Sequence, residues 1–387
     1  MMQHIFPTYT RFPVDLVQGK GTVVTAKTGE EYLDFTSGIA VCNLGHCPEN
    51  VTAAIQIQLA NIWHTSNLYE STLQDNVAEL IVGEEDRLVF FCNSGTEANE
   101  AALKLARKYT GKEKIITFEK SFHGRTFGSM SATAQAKIHQ GFGGLVPGFT
   151  YIPFNDITSF QTAIDENTAA VMLEIIQGEG GVIPASAAWL LEVQRLCKKV
   201  GALLIIDEVQ TGLGRTGALY SYQHIGLDPD IFTLAKGLGN GLPIGAMIGK
   251  AELSGAFGPG SHGSTFGGNK IALAAAKEVL ITVKQPSFLE EVQAKSEYFR
   301  DLLEVKCANL ASVTSIRGEG FLIGIEVVCR ADLIVNNLMD QGLLILTAGS
   351  NVLRILPPLT VSYAEMNQAA NLLEKVLENQ LIGSEEG

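Results

Sequence analysis

Two short apolar runs, each ending in a single charged residue, constrain this chain most. Ala202 to Ile206 reads ALLII and is followed by Asp207 and Glu208; Ile231 to Ala235 reads IFTLA and is followed by Lys236. Neither run has a helical period, so both are expected to be buried strands. In open α/β sheets the carboxyl ends of the strands face the ligand crevice, and an acid and a lysine delivered there are placed for chemistry. An ion pair is the plain structural alternative, because buried charges are normally paired. The chemical reading makes Lys236 a Schiff-base lysine, its amine acidified by its surroundings, and gives Asp207 the task of holding a protonated ring nitrogen.

Pyridoxal 5'-phosphate requires both groups, and it also requires a phosphate cradle and a ring-stacking partner. Arg87 to Cys92 is the next strand candidate, and Ser94 and Glu97 after it stand at capping-box spacing before a helix reaching about Tyr109. Glu97 and Glu100 are expected in the first turn, with Lys104, Arg107 and Lys108 near the end, matching the helix dipole. Gly95 and Thr96 at that helix start offer backbone N–H groups to an anion, although an ordinary capped helix would look the same. Ile115 to Phe118 forms a strand that runs into Ser121-Phe122-His123-Gly124-Arg125. Phe122 has the shape to stack on a flat ring and Arg125 the fork to clamp a carboxylate; a core phenylalanine and a surface ion pair are the alternatives.

The rest of the chain sets the frame. At 387 residues the chain exceeds the size of a single growing core, so two domains are expected. A net charge of −13 argues against nucleic acid and anionic membrane surfaces as partners. The six cysteines lack paired metal spacing and no signal peptide or long apolar span opens the chain, which leads to a reduced, cytoplasmic setting, with Cys42 and Cys47 read as core. Thr22 to Ala26 and Tyr32 to Phe35 form a hairpin around Thr28-Gly29-Glu30, followed by helices over Glu49–Ile62 and Leu73–Val82. Ser129 to Gly148 reads as loop, Ala169 to Ile176 as one strand, Gln177 to Gly181 as a glycine turn that lets backbone approach a ligand, and Ala187 to Val200 as a helix. Strands are expected over Leu242–Gly249, Val313–Ile316, Phe321–Val328, Leu343–Leu346 and Leu353–Leu356. Helices are expected over Lys270–Lys284, Ser287–Lys306, Ala331–Gln341 and Tyr363–Asn379, with a chain break at Pro286 and a frayed tail from Gly383 to Gly387. Arg354 lies on the last of these strands, where a salt-bridged surface arginine is the bland reading. Gly212-Leu213-Gly214-Arg215-Thr216-Gly217 matches G-x-G-x-x-G with Asp228 and Asp230 beyond it, but Asp207 to Thr211 separate it from the strand end, which weakens a Rossmann dehydrogenase reading.

Taken jointly, NSGTEANEAALKLARK, SFHGRT, QGEGG, LLIIDEVQTGLGRTG, LAKGLGNGLPIGA, HGSTFGGN and LRILPPLT resemble the class III (subgroup II) pyridoxal-phosphate aminotransferases of fold type I, over almost the whole chain. The resemblance implies an α/β fold: a large domain (46–275) with a mixed, mostly parallel sheet flanked by helices, and a smaller α+β domain made from both chain ends (1–45 and 276–387). It implies Lys236 as the Schiff-base lysine, Asp207 on the pyridine nitrogen, Gln210 near the ring hydroxyl, Gly95 and Thr96 on the phosphate, and Phe122 on the ring. It also implies a homodimer with a shared site, Thr265 reaching the phosphate from the partner subunit. Arg125 resembles the clamp for a distal carboxylate, Arg354 the clamp for the α-carboxylate of glutamate, and Glu179 the switch that pairs with Arg354 when the amino donor has no carboxylate beside its amine. Ile39 falls where the ornithine-using branch carries tyrosine. The implied reaction moves the terminal amino group of N-acetylornithine to 2-oxoglutarate; ornithine, succinylated amines and 4-aminobutyrate remain alternative donors, and a non-catalytic homologue is the competing class. After Gly45-His46 the chain has Cys47-Pro48-Glu49, where the family often carries a second histidine and a proline.

Overall fold

The computed structural model describes residues 4–379; the expected tail from Gly383 to Gly387 lies outside them. The strands in chain order are β1 (Leu16–Lys20), β2 (Val23–Ala26), β3 (Glu31–Asp34), β4 (Arg87–Cys92), β5 (Lys114–Phe118), β6 (Phe149–Ile152), β7 (Thr168–Leu173), β8 (Ile176–Gln177), β9 (Ile183–Pro184), β10 (Leu203–Asp207), β11 (Ile231–Leu234), β12 (Gly245–Lys250), β13 (Val313–Glu319), β14 (Leu322–Val327), β15 (Leu343–Leu344), β16 (Leu346–Thr347) and β17 (Val352–Ile355). Seven of them form the central sheet in the order β4-β12-β11-β10-β7-β5-β6. All its neighbours run parallel except around β12, which is antiparallel to both β11 and β4.

The unbroken apolar runs follow from burial on both faces. Successive residues of β10 alternate between two cores: Ile205 joins Ala170, Met172, Ile231 and Met247 under Leu105 of the Gly95–Thr110 helix, while Leu204 and Ile206 join Val171, Leu173, Phe232 and Leu234 on the face covered by Trp189 and Leu190. Because β10 and β11 are parallel and in register, with Asp207 opposite Thr233, their carboxyl ends emerge side by side. A separate core unites Leu33 and Phe35 with residues from Val292 to Leu377. It is built on the sheet β13-β14-β17-β16, and β15 crosses to pair in parallel with β3, Leu343 opposite Leu33.

Several elements depart from the sequence expectation for local reasons. Ser129 to Gly148 is not all loop: Phe127–Ala132 and Ala136–His139 are helical, because the small polar residues turn inward, the Ser131 hydroxyl donating to the Phe127 carbonyl at 2.6 Å. The strand expected to reach Ile176 stops at Leu173, where Glu174 turns into the cavity described below. The strand expected from Leu242 starts at Gly245, since Leu242, Pro243 and Ile244 line the same cavity and proline has no N–H for the ladder. Pro286 opens the Pro286–Cys307 helix instead of breaking the chain, its missing N–H costing nothing in a first turn. Leu343 to Leu346 splits between two sheets. Cys47 is exposed and Cys42 half-buried, so neither is core. Gly212 to Gly217 is a run of turns with Leu213, Gly214 and Gly217 at positive φ, and no helix opens from it, which removes the dinucleotide reading.

The chain between β3 and the Glu49–Asn61 helix has the most unusual backbone. Ser37, Gly38, Ile39 and Ala40 all have positive φ, at 46°, 63°, 68° and 60°, a single left-handed turn that costs each residue with a side chain roughly 1–2 kcal/mol. Asp34 holds it: its Oδ1 accepts from the Thr36 and Ser37 N–H groups at 2.9 and 3.1 Å, and its Oδ2 lies 2.8 Å from His46 Nε2. Close by, the fully buried Arg215 ties three distant segments, donating to the carbonyls of Phe321 (3.2 Å) and Pro357 (2.5 Å) and to Asn43 Oδ1 (2.8 Å).

Candidate active site

At the carboxyl ends of β10 and β11 lies a cavity of about 380 Å³ that brings together Gly95, Thr96, Phe122, Arg125, Glu174, Glu179, Asp207, Gln210 and Lys236. Asp207 is the last residue of β10 and Lys236 follows β11 at φ 43°, a left-handed conformation that a lysine holds only where its surroundings fix it. The surroundings do so: a side chain on the next residue, Gly237, would sit 2.4 Å from Asn43 Nδ2, and Asn240 binds back to Leu44 and Gly45. Lys236 keeps some accessible surface on the cavity it lines. Burial lowers the pKa of its amine; Glu179 pulls it back up, Arg354 lowers it further, and Asp207 and Glu174 oppose that.

Asp207 is oriented from three sides. Its Oδ2 accepts from Asn99 Nδ2 at 2.8 Å and lies 2.8 Å from His123 Nδ1, and its Oδ1 accepts from the Val209 N–H at 3.0 Å. Asn99 also accepts from the Thr233 hydroxyl and donates to the His123 carbonyl, both at 2.7 Å, so the carboxylate belongs to a closed buried network. Sequence reading passed over Asn99 and His123. The signal for His123 was its place inside SFHGR; Asn99 gave only a polar residue on the buried face of a helix.

The Gly95–Thr110 helix begins after Ser94, whose hydroxyl accepts from the Glu97 N–H at 3.3 Å. The expected reciprocal capping bond is shifted by one residue, because Glu97 Oε2 accepts from the Asn93 N–H at 2.6 Å, not from Ser94. Glu100 lies beyond the first turn and accepts from the Ser129 N–H at 3.0 Å, which anchors the 127–132 helix. The space over the helix start is kept by glycines: a Cβ on Gly95 would lie 2.7 Å from Val209 Cγ1, and one on Gly124 2.2 Å from Thr96 Oγ1. Phe122 stands in the cavity wall with the Arg125 guanidinium 5.6 Å from its ring centre.

The Gly178–Gly181 turn carries Glu179 onto Arg354 of β17, its Oε1 2.5 Å from Nη1, while Gln210 Oε1 accepts from the same nitrogen at 3.3 Å. Burial alone would raise the Glu179 carboxyl; the Arg354 charge and hydrogen bond outweigh it and hold it below the ordinary carboxylate range. Glu174 behaves oppositely. Buried, and facing the Asp207 charge, its carboxyl is pushed well above the ordinary range although it accepts from the Phe122 N–H at 3.1 Å. A lone acid inside an apolar run was the signal that the sequence reading left unused. Ile39 is 41% exposed on the left-handed turn while Val41 takes the place in the cavity wall; Thr265, expected to act from a partner subunit, lines a different cavity of its own chain with His64, Asn67 and Phe90.

These residues fit pyridoxal phosphate. A buried carboxylate at the floor suits a protonated ring nitrogen, a lysine of lowered pKa suits the carbonyl carbon, and the N–H groups of a helix start, kept open by Gly95 and Gly124, suit a dianion. Fold and site together define a fold type I, pyridoxal-phosphate-dependent transaminase. More closely, the chain belongs to the class-III aminotransferases, whose family pattern matches residues 5–377. It is 78% identical to the acetylornithine aminotransferase of Listeria monocytogenes serotype 4b over the full length of both chains. It is 55% identical to that of Bacillus cereus, over 97% of this chain and 98% of the relative. Among solved structures, an N-acetylornithine aminotransferase from Stenotrophomonas maltophilia superposes with a TM-score of 0.85 at 35% identity, covering 97% of this chain and 98% of that one. An ornithine aminotransferase from Toxoplasma gondii superposes with a TM-score of 0.93 at 32% identity, covering 98% and 94%.

Proposed function

We infer that this enzyme transfers the terminal amino group of N-acetylornithine to 2-oxoglutarate, giving N-acetylglutamate 5-semialdehyde and glutamate, a step of arginine biosynthesis. The observation that carries the donor is the full-length 78% identity to an acetylornithine aminotransferase, and the Glu179–Arg354 pair supplies the physical account. Pyridoxal phosphate, when bound, supplies the electron sink and carries the amino group from one half-reaction to the other. Gly95 and Thr96 would hold its phosphate, Phe122 and Gln210 would contact its ring, and Asp207, steadied by Asn99 and His123, would keep its ring nitrogen protonated. Lys236 is the amine that would hold the cofactor in the resting enzyme. Its Nζ, once free, would take the proton from the substrate carbon bearing the amine and deliver it to the cofactor side of that C–N bond, a task favoured by its lowered pKa.

Donor and acceptor differ beside the reacting carbon. N-acetylornithine has no carboxylate next to its terminal amine, so Glu179 neutralises Arg354 during that half-reaction; glutamate brings an α-carboxylate, and Glu179 yields Arg354 to it. Without Glu179, Arg354 would be a buried charge with no counter-ion. Arg125, exposed at the cavity mouth, clamps the distal carboxylate.

The same reading makes the enzyme a cytoplasmic homodimer in which Thr265 of the partner subunit reaches the phosphate, and divides the chain into a large domain (46–275) and a small one built from both ends. The separate core around Leu33, Phe35 and Val292–Leu377 supports that division, although the Lys270–Val283 helix packs throughout on the large side. Ornithine is the second reading, favoured by the superposition on the Toxoplasma enzyme. The test is the visible spectrum of the purified holoenzyme as N-acetylornithine, ornithine or 4-aminobutyrate is added without an oxo-acid. Bleaching by N-acetylornithine at the lowest concentration is expected; bleaching first by ornithine would replace the donor, and no bleaching by any amine would end the transaminase assignment.

A further inference from the structure

We propose that Arg317 is the positioning residue for Glu179, so that exchange at Arg354 is a swing of one side chain and not a movement of the whole turn. The inference rests on the role given to Glu179 above. It starts from strand register. Arg317 of β13 lies opposite Gly324 of β14, and Gly324 lies opposite Arg354 of β17. Residues directly opposite in neighbouring strands share a face of the sheet. Two arginines therefore project from one face with a glycine between them.

The Glu179 turn is laid over that glycine. A Cβ on Gly324 would sit 2.8 Å from Val182 Cβ, so only glycine admits the turn at this depth. On one side Arg354 holds the Glu179 carboxylate. On the other, Arg317 grips the backbone: its Nε donates to the carbonyls of Gly181 and Val182 at 3.0 and 3.1 Å, and its Nη2 to Gly181 at 2.8 Å. Glu326 and Ser315 fix the guanidinium from behind, at 2.5 and 2.8 Å from Nη1, and Asn351 fixes Glu326 at 3.1 Å. The grip is needed, because Val182 is fully buried at φ 52°, a left-handed conformation that is an outlier for a β-branched residue. A turn held in that state would relax without external bonds, and Glu179 would move with it.

The consequence is unequal for the two half-reactions. N-acetylornithine needs Glu179 on Arg354, whereas glutamate supplies its own carboxylate. The experiment uses the full-length holoenzyme and follows bleaching of the cofactor in single turnover, with N-acetylornithine and with glutamate separately, for R317Q, E179A and the double variant. R317Q is expected to slow the acetylornithine half-reaction about tenfold while the glutamate half-reaction changes less than about twofold, a loss set by charge-assisted hydrogen bonds. R317K, able to hold one carbonyl, should recover part of the ratio. The double variant should show the same ratio as E179A alone. Equal slowing of both half-reactions, or additive losses in the double variant, would overturn the inference, since Arg317 would then be a general staple. If R317Q does not fold, Gly324→Ala pushes on the turn from beneath and must give the same skewed ratio; an unchanged ratio there also overturns it. An unchanged ratio in E179A removes the gate itself and this inference with it, whereas a skewed E179A beside an unskewed R317Q removes only the role of Arg317.

Discussion

Replacing His46 with Gln is expected to change how stability depends on pH. The imidazole is raised from 6.5 to about 10, first by its hydrogen bond to Asp34 and then by Cys42, against the opposing effect of burial. For a base whose folded pKa is raised, the stabilisation is complete below the unfolded value and is lost as pH climbs toward the folded one. The window is therefore pH 6.5 to about 10. Asp34 is shifted the other way, below its ordinary 3.8, and its contribution is already constant throughout that window. At ~1.4 kcal/mol per pH unit the span sets a ceiling of ~5 kcal/mol. The side chain is 24% exposed, so solvent screening reduces the working figure to ~2 kcal/mol. Gln keeps a donor toward Asp34 but does not titrate. Urea midpoints of wild type and H46Q would be compared at about pH 6, 7.5 and 9, taking the difference so that other titrating groups cancel. The wild-type advantage should be greatest at the lowest pH and shrink steadily as pH rises. A constant difference, or one that widens with pH, would refute the argument.

Lys236→Ala should abolish turnover and the visible absorption of bound cofactor together, read by spectrum and by single-turnover assay; retained turnover would displace Lys236 from its role. Asn99→Ala removes one donor from Asp207 and leaves the Thr233 hydroxyl and the His123 carbonyl without their partner. It should cost ~2 kcal/mol of stability in denaturant melts and slow turnover about tenfold. Gly95→Ala would bring a methyl within 2.7 Å of Val209 Cγ1 over the helix start. Cofactor affinity, measured by spectral titration of the apoprotein with pyridoxal phosphate, should fall about tenfold, and the thermal midpoint without cofactor should drop as well because Val209 has to give way to the methyl.

Much of this was legible in the sequence because it is local. Apolar runs closed by Asp207 and Lys236 encode strand, burial and chemistry within a few residues, and β10 and β11 form where expected. Ser94 to Thr110 announces its helix through its cap and charge gradient. Of the expected residues that gather in one cavity, Gly95, Thr96, Asp207 and Lys236 are placed by such strand ends and helix starts, and Phe122, Arg125, Glu179 and Gln210 are carried there by loops and turns. What stayed hidden depends on partners far along the chain. Arg317 reads as one charge among many until strand register sets it opposite Gly324, and Glu174 reads as part of a strand until the turn at Leu173 sends it inward. The positive φ values from Ser37 to Ala40 leave no sequence signal except Gly38, because Asp34 and packing impose them. Family resemblance alone points to Ile39, through its alignment with a tyrosine, and on that left-handed turn the cavity wall falls to Val41.

The pairing of β3 with β15 also fixes an order of events during synthesis. Leu33 and Phe35 find their core only among residues from Val292 to Leu377, so the first strands wait until nearly the whole chain has been made. At roughly 5–20 residues per second that delay is on the order of half a minute, during which the apolar faces of β2 and β3 have no partner. Arg354 arrives in the same last stretch, and Arg215 cannot close on Phe321 and Pro357 before it. A nascent chain stalled short of β17 would lack the Arg215 bond to Pro357 that steadies Asn43 against Gly237, so the left-handed turn at Lys236 would be without part of its support. The site therefore reaches its final form only once the last strand of the chain has been made.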